Sequence, residues 1–253
     1  MQLAVLNAVS AALLFVAVPL PESGRLILSA ASLVLLVIPS MVMFQRTDDL
    51  SGSGEGHLLE RMGAFTLIVC GEAFVEIAIS VSDASLDTVN VTALVFEFIL
   101  VFALFTSYFD DIPAAGVNQR RFAWWTSLHL VTQIGIAGTA VSAYKLINLQ
   151  ISHRLPDFEV LWLTATLAII YLALAGVGVC TRRRPAGPLA AARVMTAACV
   201  AIAGVAAWQI PWIRMAEALP IFAAIVVTHA FVAVRLRTQT RVIDATALHP
   251  VVS

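Results

Sequence analysis

Apolar residues along this chain neither alternate nor keep to one helical face; they come in long runs. Eight runs, at residues 3–20, 26–44, 62–81, 89–109, 122–144, 160–179, 189–210 and 217–236, are close to the about 20 residues that a helix needs to cross hydrocarbon. Flexible or breaking residues lie between them. They include Ser51-Gly52-Ser53-Gly54-Glu55-Gly56 in the loop 45–61, Pro113 and Gly116 after the fourth run, and Pro185-Ala186-Gly187-Pro188 after the sixth. The pattern predicts an all-α, polytopic helical membrane protein of about eight transmembrane helices. Residues 1–237 read as a single transmembrane domain, and 238–253 as a polar cytoplasmic tail that frays. Pro39 predicts a kink in the second helix, because proline removes an intrahelical hydrogen bond. The first run has neither a basic leader nor a small-x-small cleavage site, so it reads as a membrane helix rather than a secretory signal.

Composition agrees with the pattern. The chain is 60% hydrophobic and 12% charged, with a mean hydropathy of +0.92, whereas soluble domains carry about 25% charged residues. A net charge of −1 excludes a basic nucleic-acid binder, and the hydropathy excludes a disordered chain. Cys70, Cys180 and Cys199 lie in or beside apolar runs without CxxC spacing, so they read as small core residues.

Arginine and lysine set the orientation, because positive residues gather on the cytoplasmic side. With eight spans, only Arg25, Lys145, Arg154 and Arg214 fall on one side, while the other eleven of the 15 basic residues share the side of both chain ends. Both ends are therefore expected in the cytoplasm. Trp124, Trp125, Trp162, Trp208 and Trp212 all fall near run ends, where amphipathic rings are favoured at the water–lipid boundary. Arg193, one turn inside the seventh run, is expected to snorkel to the cytoplasmic surface.

The chemistry concentrates in runs three to five, with Glu72 and Glu76 in the third, Glu97 in the fourth, and His129 and Gln133 in the fifth. Ionisable residues at membrane depth cost a few kcal/mol and usually face a partner or a wet cavity. Counting from the cytoplasmic end of each run at about 1.5 Å per residue puts Glu72, Glu97 and Gln133 at one level near the midplane. At 100° per residue, Arg61, Glu72 and Glu76 share a face of the third helix within about 40°. Glu97 and Tyr108 share a face of the fourth, and His129, Gln133 and Tyr144 a face of the fifth. Three polar stripes that can meet point to a proton- or cation-binding site at Glu72, Glu76, Glu97, His129 and Gln133. Two close carboxylates cannot both ionise cheaply, so one retains a proton that it can exchange. Arg61, Tyr108 and Asp110 would support the site. The alternative is an interhelical clamp in which the same residues are only hydrogen-bonded.

Enzyme signatures are missing: His57-Leu58-Leu59-Glu60 is not HExxH, and there is neither a GxSxG elbow nor a Walker loop. Gly135-Ile136-Ala137-Gly138 has no strand before it and no phosphate context. No catalytic activity, metal or cofactor is expected. His129 and His229, at similar depths on separate helices, are the residues that would hold a haem if there were one. The expected partners are the lipid bilayer and a small solute or ion, with nucleic acid excluded.

The segment from His57 to Glu72, His57-Leu58-Leu59-Glu60-Arg61-Met62-Gly63-Ala64-Phe65-Thr66-Leu67-Ile68-Val69-Cys70-Gly71-Glu72, resembles the signature H-x-x-E-R-x-G-L-F-x-I-I-x-L-G-E. That signature belongs to the bacterial low temperature requirement A (LtrA) family. Ala64 and Cys70 stand where the family usually has leucine. Tyr108-Phe109-Asp110 is similar to the family's aromatic-Tyr-Phe-Asp element, and His129-Leu130 with the glycine-bearing run after it also fits. The resemblance is strongest over 57–146. An opening element of the type E-L-F-F-D-L-V-F-V is not reproduced, so the chain is expected to be an N-terminally truncated or diverged member. A homo-oligomer, or partner helices in place of missing spans, would then complete it. The resemblance implies a multi-pass helical protein of the bacterial cytoplasmic membrane, linked to growth in the cold. Together the residues point to a transporter using Glu72 and Glu97 as a proton or cation site. The rival reading is a membrane scaffold or sensor whose buried polar residues are structural.

Overall fold

The computed structural model of the chain describes residues 53–83, 88–109, 121–148, 157–181, 186–210 and 215–248, together with scattered positions among the first 35. Six helices are found among the described residues: α1 (Ser53–Asp83), α2 (Thr88–Phe109), α3 (Phe122–Asn148), α4 (Asp157–Cys180), α5 (Ala186–Gln209) and α6 (Met215–Leu248). They match apolar runs three to eight one for one, but two overrun their runs. The helix α1 begins inside the glycine-serine loop, and α6 continues through the polar stretch expected to fray. Leu58, Leu59, Glu60 and Arg61 at one end, and Leu236, Arg237, Arg241 and Ala245 at the other, are good helix formers. Hydropathy locates the membrane boundary, while the backbone ladder continues past it. Pro39, Pro113, Gly116 and Trp212 lie outside the described residues.

Among the described residues, four segments are long and apolar enough to cross a membrane: Glu60–Ile79, Glu159–Cys180, Gly187–Gln209 and Ala218–Gln239, with Leu94–Phe109 as a shorter apolar stretch. Large side chains on their outer faces are bare, among them Phe231 at 70% and Ile202 at 69% exposure. Apolar surface of that kind is costly in water and native to lipid.

Neighbouring helices close a ring in the order α1–α3–α4–α5–α6–α2 and back to α1. The helix α4 lies deepest, with 61% of its apolar span buried against at most 33% in the other three. Its Leu163, Leu167, Ile170, Tyr171 and Leu174 join Leu100, Leu104 and Tyr108 of α2, Ile136 of α3, Val200 of α5 and Phe222 of α6 in one core cluster.

Glycines set the spacing around α4. A Cβ on Gly135 would come within 2.5 Å of Ile170, and one on Gly138 within 2.6 Å of Thr166. On the other side, a Cβ on Gly204 would overlap Thr164. Small residues bring backbones close where dispersion and shape, rather than water, drive helix association. Gly135 and Gly138 are therefore helix-packing positions, and Trp162 Nε1 donates to the Gly138 carbonyl at 3.1 Å across the same contact. Within the first 35 residues, Ser10 and Ser32 are helical and buried. The Ser10 hydroxyl donates to the Ser32 carbonyl at 3.0 Å, and the Ser32 hydroxyl donates back at 2.9 Å.

Two side-chain expectations change. Trp125 is 1% exposed and packs with Phe122, Val177 and Cys180, whereas its neighbour Trp124 faces outward. Adjacent helical residues point about 100° apart, so with Trp124 facing outward Trp125 is turned toward the neighbouring helix. Cys199 is exposed while Cys70 and Cys180 are buried, because the buried stripe of α5 runs through Ala197, Val200 and Gly204 instead.

Candidate functional site

One polar cluster joins α1, α2 and α3. Gln133 Nε2 donates to Thr66 Oγ1 at 2.9 Å, and the Thr66 hydroxyl donates to the Met62 carbonyl at 2.9 Å. Tyr108 Oη reaches the same carbonyl at 3.4 Å. His129 Nδ1 lies 2.9 Å from the Trp125 carbonyl. A carbonyl can only accept, so Nδ1 carries the hydrogen and Nε2 of the neutral ring is an acceptor. The His129 ring is fully buried, 3.9 Å from the Trp125 centroid and 5.5 Å from Tyr108. Its Nε2 meets no hydrogen-bond partner among the described residues. Met62 and Thr66, and Trp125, His129 and Gln133, are four residues apart, so each set lines one face of its helix.

The Gln133–Thr66 bond should stabilise the α1–α3 pair. A double-mutant cycle with Thr66→Val and Gln133→Leu, read by thermal unfolding in detergent, is expected to show a coupling of about 0.5–1.5 kcal/mol. Purely additive losses would show that the bond contributes nothing.

Glu97 occupies a separate level. It is 2% exposed, and neither carboxylate oxygen meets a hydrogen-bond partner among the described residues. The Phe74–Phe98 ring pair, 4.9 Å between centroids, fixes its depth against α1. So does the small cluster of Ala73, Ile77, Val101 and Ala140. Glu97 is thus level with residues 74–77, nearest in depth to the half-buried Glu76. Gln133, paired with Thr66, lies about 13 Å from it along the bundle axis. The expected common level of Glu97 and Gln133 is not found. The apolar runs of α1 and α3 do not begin at the same plane, so counting from run ends misplaces one helix against the other. Glu72 and Arg61 are exposed. The structure therefore brings Tyr108, His129 and Gln133 together, holds Glu97 and Glu76 at a second depth, and leaves Glu72 on the outer face. Asp110 and the side chain of Tyr144 lie outside the described residues.

A second buried cluster is built around Arg193. Arg193 is fully buried rather than at the surface; Nη1 donates to the Leu174 carbonyl at 2.8 Å and Nη2 reaches the Ser107 carbonyl at 3.4 Å. Ser107 lies in the last turn of α2, where carbonyls lack intrahelical partners and the helix dipole favours a cation. Gly178 leaves room for the guanidinium, since a Cβ there would stand 3.3 Å from Nη1. Tyr171 is buried beside Ser107 and Arg193. His229 packs edge-on against Tyr171 at 4.8 Å and shares a 2.9 Å hydrogen bond with Thr196. A signal for this was present: Arg193 is four, seven, eleven and fourteen residues before Ala197, Val200, Gly204 and Ala207, the small-residue face of its helix. His129 and His229 belong to different clusters, each held by its own ring and hydrogen-bond partners. Arg121, at the head of α3, donates to the Val179 carbonyl at 2.8 Å and so caps α4.

A family model described as bacterial low temperature requirement A protein (LtrA) matches residues 1–242. The likeness therefore extends well beyond 57–146 and takes in both flanks. No curated protein and no solved structure matches the chain.

Proposed function

The chain belongs to the bacterial low temperature requirement A family, and from that premise we propose that it is a transport protein of the cytoplasmic membrane, with a proton- or cation-binding carboxylate at Glu97. The observation that carries this reading is a carboxylate 2% exposed in an apolar helix with neither oxygen hydrogen-bonded among the described residues. Membrane helices avoid such a group unless it works, because burying it costs several kcal/mol without a partner. A proton or a cation on the oxygens removes that cost. Exchange of either on the two sides of the membrane is transport.

In this reading Glu76, level with Glu97, is the nearer second carboxylate, and Glu72 lies about a turn away on the same face of α1. Tyr108, Gln133 and His129 form a second polar station, with the His129 Nε2 lone pair as its acceptor. Small residues, Ala73 and Ala140, pack at the depth of Glu97. The eight-span topology with both ends in the cytoplasm rests on the apolar runs and on the uneven distribution of arginine and lysine.

The test is ion flux into proteoliposomes under imposed pH and sodium gradients. Glu97→Gln should reduce the flux at least tenfold while the protein stays folded, and Glu72→Gln should have the smaller effect. Flux in Glu97→Gln equal to wild type would overturn the assignment, as would no gradient-driven flux in wild type.

A further inference from the structure

The helix α1 has two faces of different character. Thr66, Cys70, Ala73 and Ile77 are buried, where Gln133 and Ala140 of α3 and Val101 of α2 meet the inward side. The other side is bare. Arg61, Phe65, Ile68, Glu72, Val75 and Ile79 are all exposed, Ile68 at 66%. Only 22% of the span Glu60–Ile79 is buried, less than in the other three spans.

The exposed row has the form of a helix-pairing seam. Its six positions follow one another in alternating steps of four and three, the 3.5-residue repeat of two helices wound about each other with a left-handed twist. At 100° per residue they fall within about 80° of one another, roughly opposite the buried stripe. Ala64, Gly71 and Ala78 flank the row and are exposed as well. Nothing lies within 4 Å of a Cβ on Gly71, so a second backbone can come close there. The apolar members of the row would serve lipid equally well, but Glu72 would not. It lies about 4 Å from the centre of its span, and an ionisable group at that depth faces a polar partner or a wet cavity.

Depth and symmetry select the partner. A two-fold axis along the membrane normal keeps two α1 helices parallel and sets each residue opposite its own copy at the same depth. The row then packs on itself, with Ile68 and Val75 against the same residues of a second copy and carboxyl against carboxyl at Glu72. Two close carboxyls retain a proton, so one donates to the other and neither faces hydrocarbon. Glu60 and Arg61 stand side by side at the end of the span and are both exposed, so two copies bring opposite charges within reach there as well.

We propose that the outer face of α1 is the surface on which two copies of this chain pair, with their Glu72 carboxyls hydrogen-bonded across the axis. The pairing is independent of the assignment at Glu97.

The experiment is disulfide crosslinking of the full-length protein in native membranes, with Cys199→Ser removing the exposed native thiol. Ile68→Cys and Val75→Cys should crosslink into dimers. Leu67→Cys on the flank of α1 and Phe231→Cys on α6, at positions 54% and 70% exposed, should stay monomeric. All four sites are exposed, so the buried core is untouched. Adding Glu72→Leu should lower the Ile68→Cys dimer yield about threefold to tenfold, the equivalent of one interhelical hydrogen bond. Glu72→Gln, which can still hydrogen-bond across the axis, should keep most of it. The proposal is overturned if Ile68→Cys and Val75→Cys stay monomeric, if Phe231→Cys crosslinks equally, or if Glu72→Leu leaves the yield unchanged. An intrachain disulfide between Ile68→Cys and Val9→Cys would overturn it too, since the chain's own first apolar run would then cover the face.

Discussion

Gly204→Leu is expected to be among the most destabilising single changes in the described bundle. A side chain there would run into Thr164, whose Oγ1, Cγ2 and Cβ already occupy the space that a Cβ would need. Thr164 cannot simply turn away, because its hydroxyl is bonded to the Val160 carbonyl at 2.7 Å. The helices α4 and α5 must therefore separate along an extensive contact. Overpacking of this sort costs about 1–3 kcal/mol and occasionally more. The better helix propensity of leucine returns less than about 1 kcal/mol. With 2–4 °C lost per kcal/mol in a chain of this size, thermal unfolding in detergent should fall by about 2–10 °C. Gly187→Leu is the matching control, since nothing lies within 4 Å of a Cβ at that position. If the cause is the clash, Thr164→Ala should recover part of the loss in Gly204→Leu. Equal unfolding temperatures for Gly204→Leu and Gly187→Leu would refute the close approach.

Arg193→Ala is the second large effect, and two opposing terms decide its size. Removing the guanidinium relieves the desolvation of a buried charge, which favours the mutant. It also leaves a large cavity between α2, α4 and α5 and removes the donors to the Leu174 and Ser107 carbonyls. Cavities left by large-to-small changes cost about 2–5 kcal/mol, and each abandoned buried acceptor about 1–3 kcal/mol. The Leu174 carbonyl keeps its place in the α4 ladder, whereas Ser107 is in the last turn of α2. A net loss of about 2–4 kcal/mol is expected. Arg193→Met fills most of the space and removes the charge as well, so it should lose less than Arg193→Ala. A methionine variant no better than the alanine variant would mean that hydrogen bonding, rather than volume, dominates. No change in either variant would show that the guanidinium is dispensable to the fold.

Much of this protein could be read from hydropathy. Each described helix coincides with an apolar run, because in lipid the whole surface of a helix must be apolar and the run length is set by bilayer thickness. The facing of Tyr108, His129 and Gln133 could also be read, since one-turn spacing is a property of the helix itself. The family likeness rested on polar residues at fixed spacing, such as Glu60, Arg61 and Glu72, and the match over residues 1–242 confirms it.

Depth between helices could not be read. Run ends are blurred by tryptophan, by charged side chains and by helical turns that continue outside the membrane, as at Ser53 and Leu248. An offset of a turn or two separated Gln133 from Glu97 and brought Glu76 to the level where Glu72 had been expected. Inside and outside could not be read either. In a chain apolar all round, nothing in composition distinguishes the lipid face from the core face, so hydropathy predicts a surface Arg193 and a boundary Trp125 where the structure buries both. Sequence by itself determined the class, the helices and the residue types available for chemistry, because those follow from the solvent and from the geometry of one helix. Tertiary packing alone decided that Glu97 is buried apart from Gln133, that Arg193 caps α2, and that Gly204 is the point of closest approach. Those depend on the register of one helix against the next, which glycine contacts and interhelical hydrogen bonds set.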